Sequence, residues 1–121
     1  MSMNVMLVDD SATVRVQASK ALSAAGFAVI EAVDGLDALA KLETSEDVSL
    51  IVCDVNMPRM SGIEFVEALS RLPRPLPPVI MLTTEGHPEL IQRAKAFGAK
   101  GWMVKPFKPE LLVAAVKKLT T

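Results

Sequence analysis

Two kinds of segment alternate along the chain: short apolar runs of five or six residues, and longer stretches with apolar positions every three or four residues. The short runs are Asn4–Val8, Ala28–Ala32, Ser49–Asp54, Pro78–Thr83 and Gly101–Lys105. Bounded by polar, Gly or Pro residues, they read as strands. The Leu50–Cys53 core of the third predicts a strand covered on both faces, as in parallel sheets. The periodic stretches predict helices over Ala12–Ala25, from Asp34–Gly35 to Glu43, Gly62–Leu72, Pro88 to Gly98, and Pro109–Leu119. Ser11 suits the N-cap of the first and Gly26 the position after its end. Pro88 fits a first helical turn. Pro73, Pro75, Pro77 and Pro78 form a stiff connector. Five strands alternating with five helices predict an α/β fold, a parallel sheet with helices on both faces. Right-handed crossovers restrict it to a doubly wound form, with order 2-1-3-4-5 expected. No repeat, low-complexity tract or linker divides residues 1–121, so one domain is expected.

Sites in such sheets form beyond the carboxyl ends of the strands. Strand one ends in Asp9–Asp10, strand three in Asp54, strand four in Thr83–Thr84 and strand five in Lys105–Pro106. The expected order makes these four strands consecutive neighbours, so their ends converge on one rim. Strand two supplies nothing comparable. Three carboxylates drawn together repel one another. A hard divalent cation offsets this, and Mg²⁺ takes carboxylate, carbonyl and water oxygens. A main-chain carbonyl after Asp54 offers a further oxygen. Taken singly, Asp9–Asp10 reads as acid favoured by a helix start, Lys105 as a snorkelling surface lysine, and Thr83 as a strand residue. Together they favour a metal and a phosphoryl group. Metal, lysine and hydroxyl neutralise the phosphoryl oxygens while a carboxylate attacks in line, forming an aspartyl phosphate.

Composition removes several alternatives. Half of the 121 residues are hydrophobic and 22% are charged, the balance of a folded chain. The longest unbroken apolar run is six residues, Leu111–Val116, where a spanning helix needs about 20. The N-terminus lacks the basic region of a secretory signal. One cysteine, Cys53, and one histidine, His87, argue against a disulfide framework or a Cys/His metal site, and a reducing cytoplasmic compartment is expected. Cys53 reads as a small core residue and His87 as a solvated loop residue. A net charge of −1 points to neither nucleic acid nor membrane as partner. Residues 1–60 carry 9 acidic and 4 basic groups, and residues 61–121 carry 5 and 9. Such a split is in keeping with a charged interaction face.

The segments VMLVDDSATVR, IVCDVNMPRMSG, IMLTTEG and GWMVKPF, in that order and spacing, resemble the four signature segments of the response-regulator receiver domain. This is the CheY-like family with a flavodoxin-like (βα)5 fold, and the resemblance runs from Asn4 to Leu119. It implies that Asp54 is the phosphoacceptor, taking its phosphoryl group from a histidine kinase. It implies that Asp10 binds Mg²⁺ directly, Asp9 largely through water, and Asn56 through its main-chain carbonyl. By the same resemblance Thr83 is the switch hydroxyl, assisted by the Thr84 amide. Lys105 binds the phosphoryl group, the Lys105–Pro106 bond is cis, and Trp102 takes the place of the aromatic switch residue. The chain departs from the common pattern at Trp102, bulkier than the usual Tyr or Phe, and at Thr84, where a small residue is common. Asn56 and Glu85 hold rim positions that tune phosphoryl lifetime and resemble chemotaxis-type members.

Receiver domains usually meet partners through the fourth helix, fifth strand and fifth helix. On the last helix Leu112, Ala115, Val116 and Leu119 form an inward stripe, leaving Val113, Ala114 and Lys117 outward. On the fourth, Glu89, Gln92, Arg93 and Ala96 face outward, opposite Leu90, Ile91, Ala94 and Phe97. These faces predict a downstream protein segment that is mildly acidic and partly apolar. Met57 and Met60 offer a soft edge beside Asp54 for a kinase. A chemotaxis-type regulator is the first expectation and a phosphorelay intermediate the second, in neither case a conventional turnover enzyme. An aspartyl-phosphate hydrolase would want a second acid where Asn56 stands, and a cap. A flavin module would want a less acidic loop than DDSATVR, and a degenerate receiver would lack one of the acids or the lysine. The chain stops just after the fifth helix, so no output domain is expected.

Overall fold

A computed structural model describes residues 3–44, 47–57, 60–73, 76–84 and 88–120. The elements are β1 (Asn4–Val8), α1 (Ala12–Ala24), β2 (Ala28–Ala32), α2 (Gly35–Thr44), β3 (Val48–Asp54), α3 (Gly62–Ser70), β4 (Val79–Thr83), α4 (Pro88–Ala96), β5 (Gly101–Val104) and α5 (Pro109–Thr120). The strands pair in parallel in the order β2-β1-β3-β4-β5, the order expected from the sequence.

Strand alternation sorts the sheet into two cores. Val5, Leu7, Leu50, Val52, Ile80 and Leu82 point to one face and pack on Ala18 and Leu22 of α1 and on Leu112 and Val116 of α5. Met6, Val8, Ile51, Cys53, Val79 and Met81 point to the other, against Ala38 and Leu42 of α2, Phe65, Val66 and Leu69 of α3, and Ala94 of α4. Burying each large apolar side chain contributes about 1.5–3 kcal/mol, so β3, covered on both faces, anchors the sheet. Cys53 belongs to the second core, where burial pushes its thiol well up and keeps it protonated.

Local chemistry sets the helix ends. The Ser11 hydroxyl accepts the Val14 N–H at 3.3 Å and caps α1. Gly26, at φ +97°, takes the left-handed conformation that follows many helices. Asp34 and Asp37 open α2: Asp34 accepts the Asp37 N–H at 2.9 Å, and Asp37 accepts the Val33 N–H at 3.0 Å. Ser61 and Glu64 form a reciprocal capping box on α3, at 3.2 and 3.0 Å. Helix α3 stops at Ser70 rather than the expected Leu72, because Pro73 disfavours helical geometry at the residue before it. Strand β5 stops at Val104 rather than Lys105, because Pro106 has no N–H with which to extend the ladder.

Candidate functional site

The same alternation decides which side chains meet at the rim. Asp9 continues the parity of Val5 and Leu7, Asp54 that of Leu50 and Val52, and Lys105 that of Met103, all on the α1–α5 side. Asp9 Oδ2 accepts from Lys105 Nζ at 2.7 Å, and Asp54 Oδ1 lies 3.4 Å from the same nitrogen. Asp9 Oδ1 also accepts the Ser11 N–H at 2.8 Å, and Asp54 Oδ1 accepts the Asn56 N–H at 3.4 Å. Asp9 and Asp54 are buried, with 0% and 3% exposure, while Asp10 and Asn56 are exposed. One carboxylate oxygen from each of Asp9, Asp10 and Asp54 lies within 4.8 Å of the others.

Burial pushes the Asp54 carboxyl from its ordinary 3.8 up to about 6, and the Asp9 charge adds to the rise. Lys105 and the Asn56 N–H oppose it. For Lys105, burial alone would depress the ammonium, but the Asp9 hydrogen bond and the nearby carboxylates outweigh it and hold its pKa above the ordinary value. Asp9 and Asp54 thus share one ammonium, with an Asp10 oxygen within 4.8 Å of theirs. An all-oxygen donor set with one open, solvent-facing side suits Mg²⁺, which keeps several of its waters.

Backbone packing fixes Asp54 from behind. The Gly62 N–H donates to the Val55 carbonyl at 2.8 Å, and a Cβ on Gly62 would collide with the Asp54 carbonyl oxygen. Glycine is required there by close approach. The Lys105–Pro106 bond is cis, and the Lys105 N–H donates to the Thr83 carbonyl at 2.7 Å.

Thr83 has the opposite parity. It follows Val79 and Met81 and lines a narrow cavity of about 10 Å³ with Val55, Met81, Ile91, Ala94 and Trp102 on the α4 side. Thr84 is exposed and borders a cleft of about 230 Å³ with Val14, Gln17, Lys105, Pro106 and Phe107. The rim therefore has an acid–lysine side and a hydroxyl–aromatic side, which meet at the strand ends. Glu85 and His87 lie outside the described residues.

The family model for the response regulator receiver domain matches residues 5–117. The chain belongs to the response regulator receiver domain family. It is 37% identical over 114 residues to the chemotaxis protein CheY1 of Helicobacter pylori, covering 91% of this chain and 90% of that one. It is 30% identical over 121 residues to the chemotaxis protein CheY of Thermotoga maritima, covering 99% of each. The crystallised chemotaxis protein CheY4 of Vibrio cholerae superposes with a TM-score of 0.91 at 43% identity, over 98% of this chain and 99% of that one. The chain is thus a chemotaxis-like two-component response regulator.

On this receiver domain the outward faces differ in part from the expected ones. Ala96, Ala114 and Lys117 are exposed. Val113 is not outward: it is half-buried against the α1–α5 core and lines a groove with Ala21, Ala24 and Ala25 of α1. The inward centre of α5 lies between Leu112 and Val116, and at 100° per residue Val113 falls on the α1 flank. Arg93 is exposed but faces α3, not β5. There the Glu64 carboxyl is held low first by the Ser61 N–H and, to a lesser degree, by the Arg93 charge. The α4 residue beside β5 is Lys95, whose Nζ stands 4.3 Å from the centre of the Trp102 ring. Trp102, Val104 and Leu111 are 39%, 50% and 54% exposed, and Leu111 lies on the opposite flank of α5 from Val113. Lys95 and Leu111 escaped sequence reasoning, although a lysine one turn past Ile91 marks the β5 flank of the helix. Met57 and Met60 are half-buried against the α2–α4 core, and Met60 closes over Gly35, where a Cβ would come within 2.7 Å of its Cγ.

Proposed function

We propose that this receiver domain accepts a phosphoryl group from the phosphohistidine of a histidine kinase onto Asp54 and thereby changes its affinity for a downstream protein in a chemotaxis-type pathway. The observation that carries this is the buried Asp54 carboxylate, with Lys105 Nζ at 3.4 Å and Asp9 and Asp10 oxygens within 4.8 Å. Asp10 and Asp54 would hold Mg²⁺ directly, Asp9 largely through water and Asn56 through its main-chain carbonyl. When bound, the ion neutralises the acids and the phosphoryl oxygens.

The Asp54 carboxylate attacks phosphorus in line. The phosphorus–nitrogen bond of the donor breaks, and its electron pair stays on the imidazole nitrogen. An acyl phosphate results, and Lys105 exchanges part of its carboxylate pairing for a phosphoryl oxygen. Water later attacks phosphorus, which restores the carboxylate and releases inorganic phosphate. The domain therefore promotes its own charging and discharge without being a turnover enzyme. Thr83 supplies its hydroxyl to the phosphoryl group and Thr84 its N–H. Trp102 responds, and the partner docks on α4, β5 and α5 through the flank that carries Lys95, Trp102 and Leu111, with Ala96, Ala114 and Lys117 at its border. No helix among the described residues is long and apolar enough to cross a membrane.

Intact mass after incubation with Mg²⁺ and acetyl phosphate tests the assignment. The wild type gains one phosphoryl group and Asp54→Asn gains none. Equal labelling of the two proteins refutes Asp54 as acceptor.

A further inference from the structure

Asp9 is held at every polar atom. Its N–H donates to the Ala32 carbonyl at 3.1 Å. Oδ1 accepts the Ser11 N–H at 2.8 Å and Oδ2 accepts Lys105 Nζ at 2.7 Å. Its carbonyl accepts Arg15 Nη1 at 2.6 Å. That last bond differs in kind from the others. The Asp9 carbonyl oxygen shares one rigid plane with the nitrogen and Cα of Asp10. Fixing the oxygen fixes the plane from which the exposed Asp10 side chain departs.

Arg15 occupies its place against local preference. It stands in the first turn of α1, which carries no acidic residue there, and a cation at a helix N-terminus opposes the helix dipole. The side chain is nevertheless drawn in, and Nε approaches Glu31 Oε1 of β2 at 3.5 Å. Glu31 is paired with Leu7 of β1 in the sheet register, so the main chain that carries this carboxylate is fixed, while the side chain itself is 44% exposed. A guanidinium has donors enough to hold a carbonyl and a carboxylate at once.

We propose that Arg15 is a positioning residue: anchored on Glu31, it fixes the Asp9–Asp10 peptide and so sets the Mg²⁺ affinity of the acidic rim. This rests on the reading of Asp9, Asp10 and Asp54 as metal ligands. Charge alone would act in the opposite direction, because a cation beside three carboxylates repels Mg²⁺ and its removal would tighten binding. The sign of the effect therefore separates positioning from charge.

The test is a calorimetric titration of the protein with magnesium chloride alone, alongside thermal melts in chelator. Wild type binds and Asp10→Asn binds far more weakly. Arg15→Met, which keeps the apolar stem, stays folded and binds about ten-fold more weakly, at the low end of the usual loss of an outer partner. Arg15→Lys, equal in charge, binds about three-fold more weakly, because a point-like ammonium lacks the planar fork whose separate nitrogens reach the carbonyl and Glu31. A folded Arg15→Met protein with unchanged or tighter affinity overturns the proposal. Should that variant not fold, wild-type affinity in Arg15→Lys overturns it. Failure of wild type to bind Mg²⁺, or equal binding by Asp10→Asn, instead overturns the underlying assignment of the acids, and the proposal with it.

Discussion

Asp54 keeps its proton in the native protein to about pH 6, whereas an ordinary aspartate has lost it near 3.8. Between these two values the native state binds more protons than the unfolded chain, so stability falls as pH rises from about 4 to about 6 and then levels off. The ceiling on that loss is about 3 kcal/mol, at about 1.4 kcal/mol per pKa unit. Asp54→Asn removes the ionisation. In chelator it is expected to be about 1–2 kcal/mol more stable than wild type at pH 7.5 and no more stable at pH 4, as read from urea denaturation at both pH values. Saturating Mg²⁺ should shrink the gap at pH 7.5. Lys105→Met acts with the opposite sign. It leaves the buried Asp9 without its ammonium and is expected to cost about 3 kcal/mol at pH 7.5, less at pH 5, where Asp54 is already protonated. A cost that grows on acidification would contradict the shared-ammonium account of the rim.

Helix α3 separates stability from site geometry. Its capping box satisfies end groups on the exposed Ser61–Glu64 turn, away from the acids, so Ser61→Ala should cost about 1 kcal/mol and leave the extent of acetyl phosphate labelling unchanged. Gly62→Ala should both destabilise the protein and reduce labelling, because its Cβ drives into the Asp54 carbonyl. Equal labelling of both variants would show that α3 does not seat Asp54. The elements themselves were legible because each carries its own signal: unbroken runs for strands, three-to-four spacing for helices, caps at the ends. The convergence of Asp9, Asp54 and Lys105 was legible too, since strand ends and strand order locate them. The flanks of the helices were not. Whether Val113 faces α1 or Arg93 faces α3 depends on how each helix is rotated against its neighbours, and a wheel drawn for one helix lacks that reference. Arg15 stayed hidden for a related reason: its partners are a main-chain oxygen and a residue of another strand.

Across the whole molecule the question is how a change at Asp54 reaches the β5 flank. Thr83 and Trp102 line the same cavity beneath α4, so under the proposed function a hydroxyl drawn toward Asp54 would vacate space next to the indole. The indole is 39% exposed, with Lys95 over its ring at 4.3 Å. A cation–π contact at such an exposed position is worth about 0.5–1 kcal/mol, or about a two- to five-fold bias toward this placement of the ring. A ligand that carried the equilibrium from 1:99 to 99:1 would have to supply about 5.5 kcal/mol, so Lys95 trims the balance without setting it. Trp102 is the single tryptophan of the chain, and its fluorescence reports the ring directly. Phosphorylation of wild type with Mg²⁺ and acetyl phosphate is expected to shift that emission, and Asp54→Asn is expected to show no shift. Thr83→Ala should still gain the phosphoryl group by mass while its emission moves far less, because the link between the two sides of the sheet is cut. Lys95→Met should move the unphosphorylated emission a small part of the way toward the phosphorylated one. If Thr83→Ala kept the full emission change, the coupling would run through another route than the cavity, and the Thr83–Trp102 link would have to be given up.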